Sequence, residues 1–123
     1  MNQSNIRILV VDDSPITVRK LSMMLTGLGY SIAATAASGQ EAIEQYRKCT
    51  PDIVTMDITM PTMNGIEATR EIIHEFPDAR IIMVTSLGQE KMVLDALKAG
   101  AKGYVIKPFK EAKISEAIHK VCS

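Results

Sequence analysis

The sequence predicts an α/β fold, a doubly wound parallel sheet with helices on both faces. Three observations predict it. Short β-branched runs of nearly continuous apolar character alternate strictly with segments whose apolar residues recur at helical spacing. Turn and cap residues punctuate the junctions. Four apolar runs also pass straight into a polar, chemically capable residue: Val10-Val11-Asp12-Asp13, Val54-Thr55-Met56-Asp57, Met83-Val84-Thr85 and Val105-Ile106-Lys107. Strict alternation of strand and helix implies right-handed crossovers, which make neighbouring strands parallel and bring their carboxyl ends to one edge.

Ile6 to Val11 reads as a central strand, apolar on both faces. Ser14 then caps a helix with Pro15 at its first position; Val18, Leu21, Leu25 and Leu28 share one face until Gly29 stops it. Ser31 to Ala36 is a weaker edge strand, Gln40 to Lys48 a helix ended by Pro51, and Asp52 to Met56 a strand. The third helix runs from about Gly65 to Phe76, with Ile66, Ile72, Ile73 and Phe76 inward and Pro77 beyond it. Arg80 to Thr85 is the fourth strand. Gln89 to Ala99 is a helix carrying Val93, Ala96 and Leu97 on its inner face, stopped by Gly100. Gly103 to Lys107 is the fifth strand, and Glu111 to Val121 a last helix burying Ile114, Ile118 and Val121.

With 123 residues the chain fits one domain, 1–123, large enough for buried strands covered by helices. Its apolar runs are strand-length, well short of the ~20 residues that span a bilayer. The start, Met1-Asn2-Gln3-Ser4-Asn5, lacks a signal peptide's basic and apolar regions, so a cytoplasmic location is expected. Cys49 and Cys122 lie far apart with no partner at ligand spacing and are expected to stay thiols. Lys+Arg 14 balances Asp+Glu 14, which excludes a general basic attraction to nucleic acid.

Taken singly, Asp13 reads as a helix-start acid, Asp57 as a turn former, Thr85 as a strand residue and Lys107 as a solvated cation. Together they place three carboxylates, a hydroxyl and an ammonium on one rim, and such crowding of ionisable groups marks a functional cleft. Three carboxylates in one pocket repel unless a cation sits among them, and hard oxygen ligands favour Mg²⁺, or Mn²⁺, over zinc. With that charge cancelled, an aspartate can attack phosphorus while Lys107 and Thr85 hold phosphoryl oxygens.

Asp12-Asp13, the run Met56-Asp57-Ile58-Thr59-Met60-Pro61-Thr62-Met63-Asn64-Gly65, Thr85-Ser86, Gly100-Ala101 and Lys107-Pro108-Phe109 together resemble the receiver domain of two-component response regulators. The resemblance covers essentially the whole chain. Within that family, Pro51 to Pro61 is most similar to the single-domain chemotaxis regulators of the CheY type. The resemblance implies a flavodoxin-like five-stranded sheet of order 2-1-3-4-5, an order for which CheY itself is a type case, with the ligand crevice between strands one and three. It implies that Asp57 accepts a phosphoryl group from a histidine kinase, and that Asp13, Asp57 and the carbonyl of Thr59 hold Mg²⁺, with Asp12 acting through water. It further implies that Thr85 and Lys107 read the phosphoryl group, that the ring of Tyr104 responds to the threonine, and that Lys107-Pro108 is a cis peptide.

The expected protein is a monomeric signalling switch and not an enzyme, beyond taking up and slowly losing its own phosphoryl group. Its expected partners are a histidine kinase, a phosphatase and a flagellar switch protein, with no nucleic acid and no membrane insertion. A phosphorelay shuttle and the isolated receiver of a longer regulator are the alternatives. An Mg²⁺-dependent aspartyl phosphatase ranks lower, because Asp12-Asp13-Ser14 lacks the Asp-x-Asp spacing, and a flavodoxin-like redox carrier would bring its flavin phosphate against two aspartates. Ser86 stands where the family often has alanine, and Thr59 and Leu87 offer no carboxylate or amide to orient attacking water, so slow self-hydrolysis is expected. His74 and His119 are expected to be solvated on outer helix faces. The methionines read as core filler, with Met92 a candidate for a partner groove.

Overall fold

The computed structural model describes residues 6–86 and 90–122. The chain runs β1(Arg7–Val11) α1(Pro15–Gly27) β2(Ser31–Ala36) α2(Gly39–Cys49) β3(Ile53–Met56) α3(Gly65–Glu75) β4(Ile81–Thr85) α4(Glu90–Ala99) β5(Gly103–Ile106) α5(Glu111–Cys122). All pairings are parallel, in the order β2-β1-β3-β4-β5. This is the doubly wound, flavodoxin-like sheet that the alternation and the resemblance imply.

Because successive side chains on a strand point to opposite faces, the apolar runs split into two cores. Leu9, Val11, Val54, Met56, Ile81 and Met83 pack under α2, α3 and α4 through Ala42, Ile43, Ala68, Ile72 and Ala96. Ile8, Val10, Ile53, Ile82, Val84 and Val105 pack under α1 and α5 through Leu21, Leu25, Ile114 and Ile118. Burial on both faces explains why β1, β3 and β4 carry no alternation of polar and apolar residues. The edge strand β2 is only partly covered, and its register on β1 shifts between Ile8 and Leu9.

The caps follow local chemistry. Ser14 accepts a hydrogen bond from the Thr17 N–H, Ser38 accepts one from Glu41, and Asn64 and Glu67 form a reciprocal capping box at the start of α3. Gly29 and Gly100 take positive φ values just past α1 and α4, where a helix stop needs left-handed backbone. Arg7 closes the far end of α2 by donating from Nη1 to the Cys49 carbonyl oxygen at 2.9 Å. Arg47 and Glu75 form an exposed bidentate pair between α2 and α3, a contact of small energetic weight in water.

One helix differs from expectation. Leu97 is 46% exposed and Leu94 48%, whereas Ala96 and Ala99 are buried and Met92 packs against the core beneath α4. The reason is close approach: a Cβ on Gly100 would lie 2.7 Å from Ile73 Cγ1, so the end of α4 lies against α3 with room only for small side chains. Met92 is thus partly committed to the core. The expected start of this helix at Gln89 lies outside the described residues.

Packing of this kind gives a direct test. Leu97→Gln should change stability by less than ~0.5 kcal/mol, as exposed substitutions do. Ala96→Leu should cost ~1–3 kcal/mol by overpacking. Urea melts of the two variants check the assignment of the inner face.

Candidate functional site

The rim is built by the backbone. Asp12 N–H donates to the Ala36 carbonyl oxygen at 3.0 Å, Asp57 N–H to Val11 at 3.0 Å and Lys107 N–H to Thr85 at 2.8 Å. These three residues therefore each continue a strand ladder by one step and inherit the rigidity of the sheet. Val11 pairs with Met56 and Thr85 with Ile106, so the residues that follow β1 and β3 are neighbours and β4 and β5 end level with each other. This crevice between β1 and β3 lies where strand order reverses, the place ligands take in such sheets.

Asp12, Asp13 and Asp57 each present a carboxylate oxygen, and these oxygens lie within 4.8 Å of one another. Asp12 and Asp57 are only 4% and 6% exposed, while Asp13 is open to solvent. Lys107 Nζ sits 2.7 Å from Asp12 Oδ2 and 3.8 Å from Asp57 Oδ1. The other oxygen of Asp12 accepts the Ser14 N–H at 2.9 Å, tying the carboxylate to the start of α1. Burial pushes the Asp57 carboxyl above its ordinary 3.8 and the Asp12 charge pushes it further; Lys107, a hydrogen bond with the Thr85 side chain and one with the Ile58 backbone pull the other way. Lys107 and the two hydrogen bonds together do not offset burial and the Asp12 charge. A compact set of hard oxygen donors, partly buried and short of positive charge, fits a divalent cation such as Mg²⁺.

The segment after Asp57 is closed on itself. Gly65 N–H donates to the Ile58 carbonyl at 2.8 Å, and Met63 N–H to the Pro61 carbonyl at 2.8 Å. Thr62, between the latter two, has φ 69, so it is the centre of a strained γ-turn, and a β-branched residue there is an outlier. Gly65 has to be glycine, because a Cβ at that position would run into the carbonyl of Asp57. Thr59 is exposed on this loop.

Of the expected site residues, the structure gathers Asp12, Asp13, Asp57, Thr85 and Lys107 at one rim, and Lys107-Pro108 is cis. Tyr104 is not part of that cluster. It pairs with Met83, two residues before Thr85 on the same sheet face, and packs half-buried against the core under α4. Burial raises its phenol above the ordinary value. Ser86 is exposed, Leu87 lies outside the described residues, and His74 and His119 are exposed as expected. Three contacts went unforeseen: Lys107 with Asp12, Asp12 with Ser14, and a close approach of Gly39 to Met63. Only the last had any sequence signal, a glycine at the first position of a helix where no turn requires one.

The model of the response regulator receiver domain matches residues 8–119. The chain is 48% identical to the chemotaxis protein CheY of Thermotoga maritima, over 94% of this chain and 96% of that one. It is 46% identical to the CheY of Bacillus subtilis over 93% and 95%. A chain in the crystal structure of the CheX-CheY-BeF3-Mg²⁺ complex from Borrelia burgdorferi superposes with a TM-score of 0.93 at 41% identity, covering 96% of this chain and 90% of that one.

The raised Asp57 carboxyl fixes the sign of a pH effect. In the window from 3.8 up to its native value the folded protein binds more protons than the unfolded, so this group's contribution to stability falls as pH rises through that window. In metal-free buffer near neutral pH, Asp57→Asn should therefore melt higher than the natural protein. The advantage should shrink at acid pH. Calorimetric scans across the window measure both.

Proposed function

This chain belongs to the response regulator receiver domain family, and from that premise we propose that it is a phosphorylation-controlled switch whose phosphoacceptor is Asp57. The observation that carries the proposal is the pair of buried carboxylates with Lys107 Nζ at 2.7 and 3.8 Å and the Thr85 side chain bonded to Asp57. An Asp57 carboxylate oxygen attacks the phosphorus of a phosphohistidine on a kinase. The new O–P bond makes an acyl phosphate, the P–N bond breaks, and the imidazole leaves as a neutral ring after taking up a proton. Asp12, Asp13, Asp57 and the Thr59 carbonyl would hold Mg²⁺, or Mn²⁺, with Asp12 acting through water. That cation supplies charge cancellation between the attacking carboxylate and the phosphoryl oxygens.

Lys107 exchanges its place beside Asp12 for a phosphoryl oxygen, and Thr85 donates to another. Thr85 stands at the head of β4, and Tyr104 packs beside Met83 two residues behind it. A pull on the threonine thus reaches the edge strand and the face made by α4, β5 and α5. A partner that binds this face shifts the equilibrium only by its differential affinity for the two states, ~1–3 kcal/mol in typical couplings. The likeness to chemotaxis proteins supports a flagellar switch protein as that partner. On this reading the chain acts as a single cytoplasmic receiver, 1–123, and a monomer. Nothing in this role calls on nucleic acid, and among the described residues no helix is long and apolar enough to cross a membrane. Thr59, with no carboxylate or amide, leaves water poorly oriented; dephosphorylation then depends on a phosphatase.

Acetyl phosphate with Mg²⁺ should add one phosphoryl group, seen by mass spectrometry, and Asp57→Asn should abolish it. Normal labelling of that variant, or label on His74 or His119, contradicts the assignment. Thr85→Ala and Lys107→Ala should still accept the group but lose most of the phosphorylation-dependent gain in partner affinity. Full retention of that gain by a verified phosphorylated Thr85→Ala would break the proposed link from Thr85 to Tyr104.

A further inference from the structure

We propose that Gly39, the first residue of α2, is a positioning residue for the cation site, acting through the tip of the loop that follows Asp57. Gly39 is buried and does not take a positive φ, so its backbone conformation does not call for glycine. Space does. A Cβ there would lie 2.6 Å from the Met63 carbonyl oxygen and 2.8 Å from Met63 Cγ. A flexible side-chain end rotates away from such a clash; a carbonyl oxygen moves only with its backbone.

That backbone has little freedom to yield locally. Met63 is one arm of the γ-turn on Thr62, and the whole loop is closed by the hydrogen bond from Gly65 N–H to the Ile58 carbonyl. A push at Met63 is therefore carried around the loop to Thr59. Asp12 and Asp57 are held separately, each by its own ladder bond to β2 or β1. The start of α2 thus sets where the Thr59 carbonyl lies relative to carboxylates that do not move with it. This inference rests on the reading of Thr59 as a cation ligand given above. Its consequence is selective: loss of affinity for the cation, with the phosphoacceptor intact.

The test is calorimetric titration of MgCl2 into the natural protein, Gly39→Ala, Met63→Ala and Ile43→Val, with a thermal melt of each. Gly39→Ala should weaken Mg²⁺ binding about tenfold, the scale on which supporting residues act on metal sites. Its acetyl phosphate labelling should recover when Mg²⁺ is raised in proportion. Met63→Ala, which removes the side-chain part of the seat, should weaken Mg²⁺ binding by a smaller factor than Gly39→Ala does. Ile43→Val, buried on the same helix, should lower the melting temperature and leave Mg²⁺ binding unchanged. If Gly39→Ala binds Mg²⁺ as the natural protein does, the proposal fails; should that variant not fold, unaltered binding by Met63→Ala overturns it equally. A natural protein that binds no Mg²⁺ overturns this inference together with the cation site itself, whereas intact natural binding with unchanged variants overturns the role of Gly39 alone.

Discussion

Two buried carboxylates and a third at the rim, brought together by parallel strands, are the constraint around which the rest of this molecule is arranged. A parallel sheet leaves the residues after β1 and β3 side by side, and here both are buried aspartates. Their repulsion is met on one side by Lys107, reaching from the end of β5 to 2.7 Å from Asp12. Burial first, and the Asp12 charge second, raise the Asp57 carboxyl beyond what Lys107 brings down. Such a site fits a cation, and under the proposed function that cation would offset the further negative charge of a phosphoryl group. With Asp57 as the proposed phosphoacceptor, stability and function pull in opposite directions there, as is usual where ionisable groups are crowded for chemistry.

The carboxylates and the loop are held by different means. Asp12, Asp57 and Lys107 continue strand ladders. The stretch from Ile58 to Gly65 instead depends on close backbone approaches that only glycine allows, at Gly65 against Asp57 and at Gly39 against Met63, and it carries a threonine in a left-handed γ-turn. Such strain costs of order 1–3 kcal/mol and persists only where its surroundings over-determine it. The capping box of Asn64 and Glu67 and the seat on α2 are those surroundings.

Much of this is legible in the sequence. Alternation of strand and helix gave the layers, Ser14-Pro15 gave the start of α1, and the polar residues closing four apolar runs gave the rim. The strand order came from family resemblance, since alternation alone does not distinguish β2-β1-β3 from other windings. On α4 the expected inner face holds at Ala96 and fails at Leu97, because apolar periodicity weights large side chains whereas this helix packs through Ala96 and Ala99 and turns Leu94 and Leu97 outward. Lys107 was foreseen at the rim, but its choice of Asp12 over Asp57 depends on side-chain reach across the sheet, which sequence does not encode locally. The same holds for Gly39, whose partner Met63 is close in space and distant along the chain.

The central claim is that the cluster is electrostatically incomplete until a divalent cation joins it. Following the side-chain carboxyl carbon of Asp57 by NMR through a pH titration, first in chelator and then in saturating Mg²⁺, tests this most directly. The account predicts a midpoint above 3.8 in chelator that drops clearly when Mg²⁺ is present. A midpoint at or below 3.8 in chelator, unmoved by Mg²⁺, would contradict it.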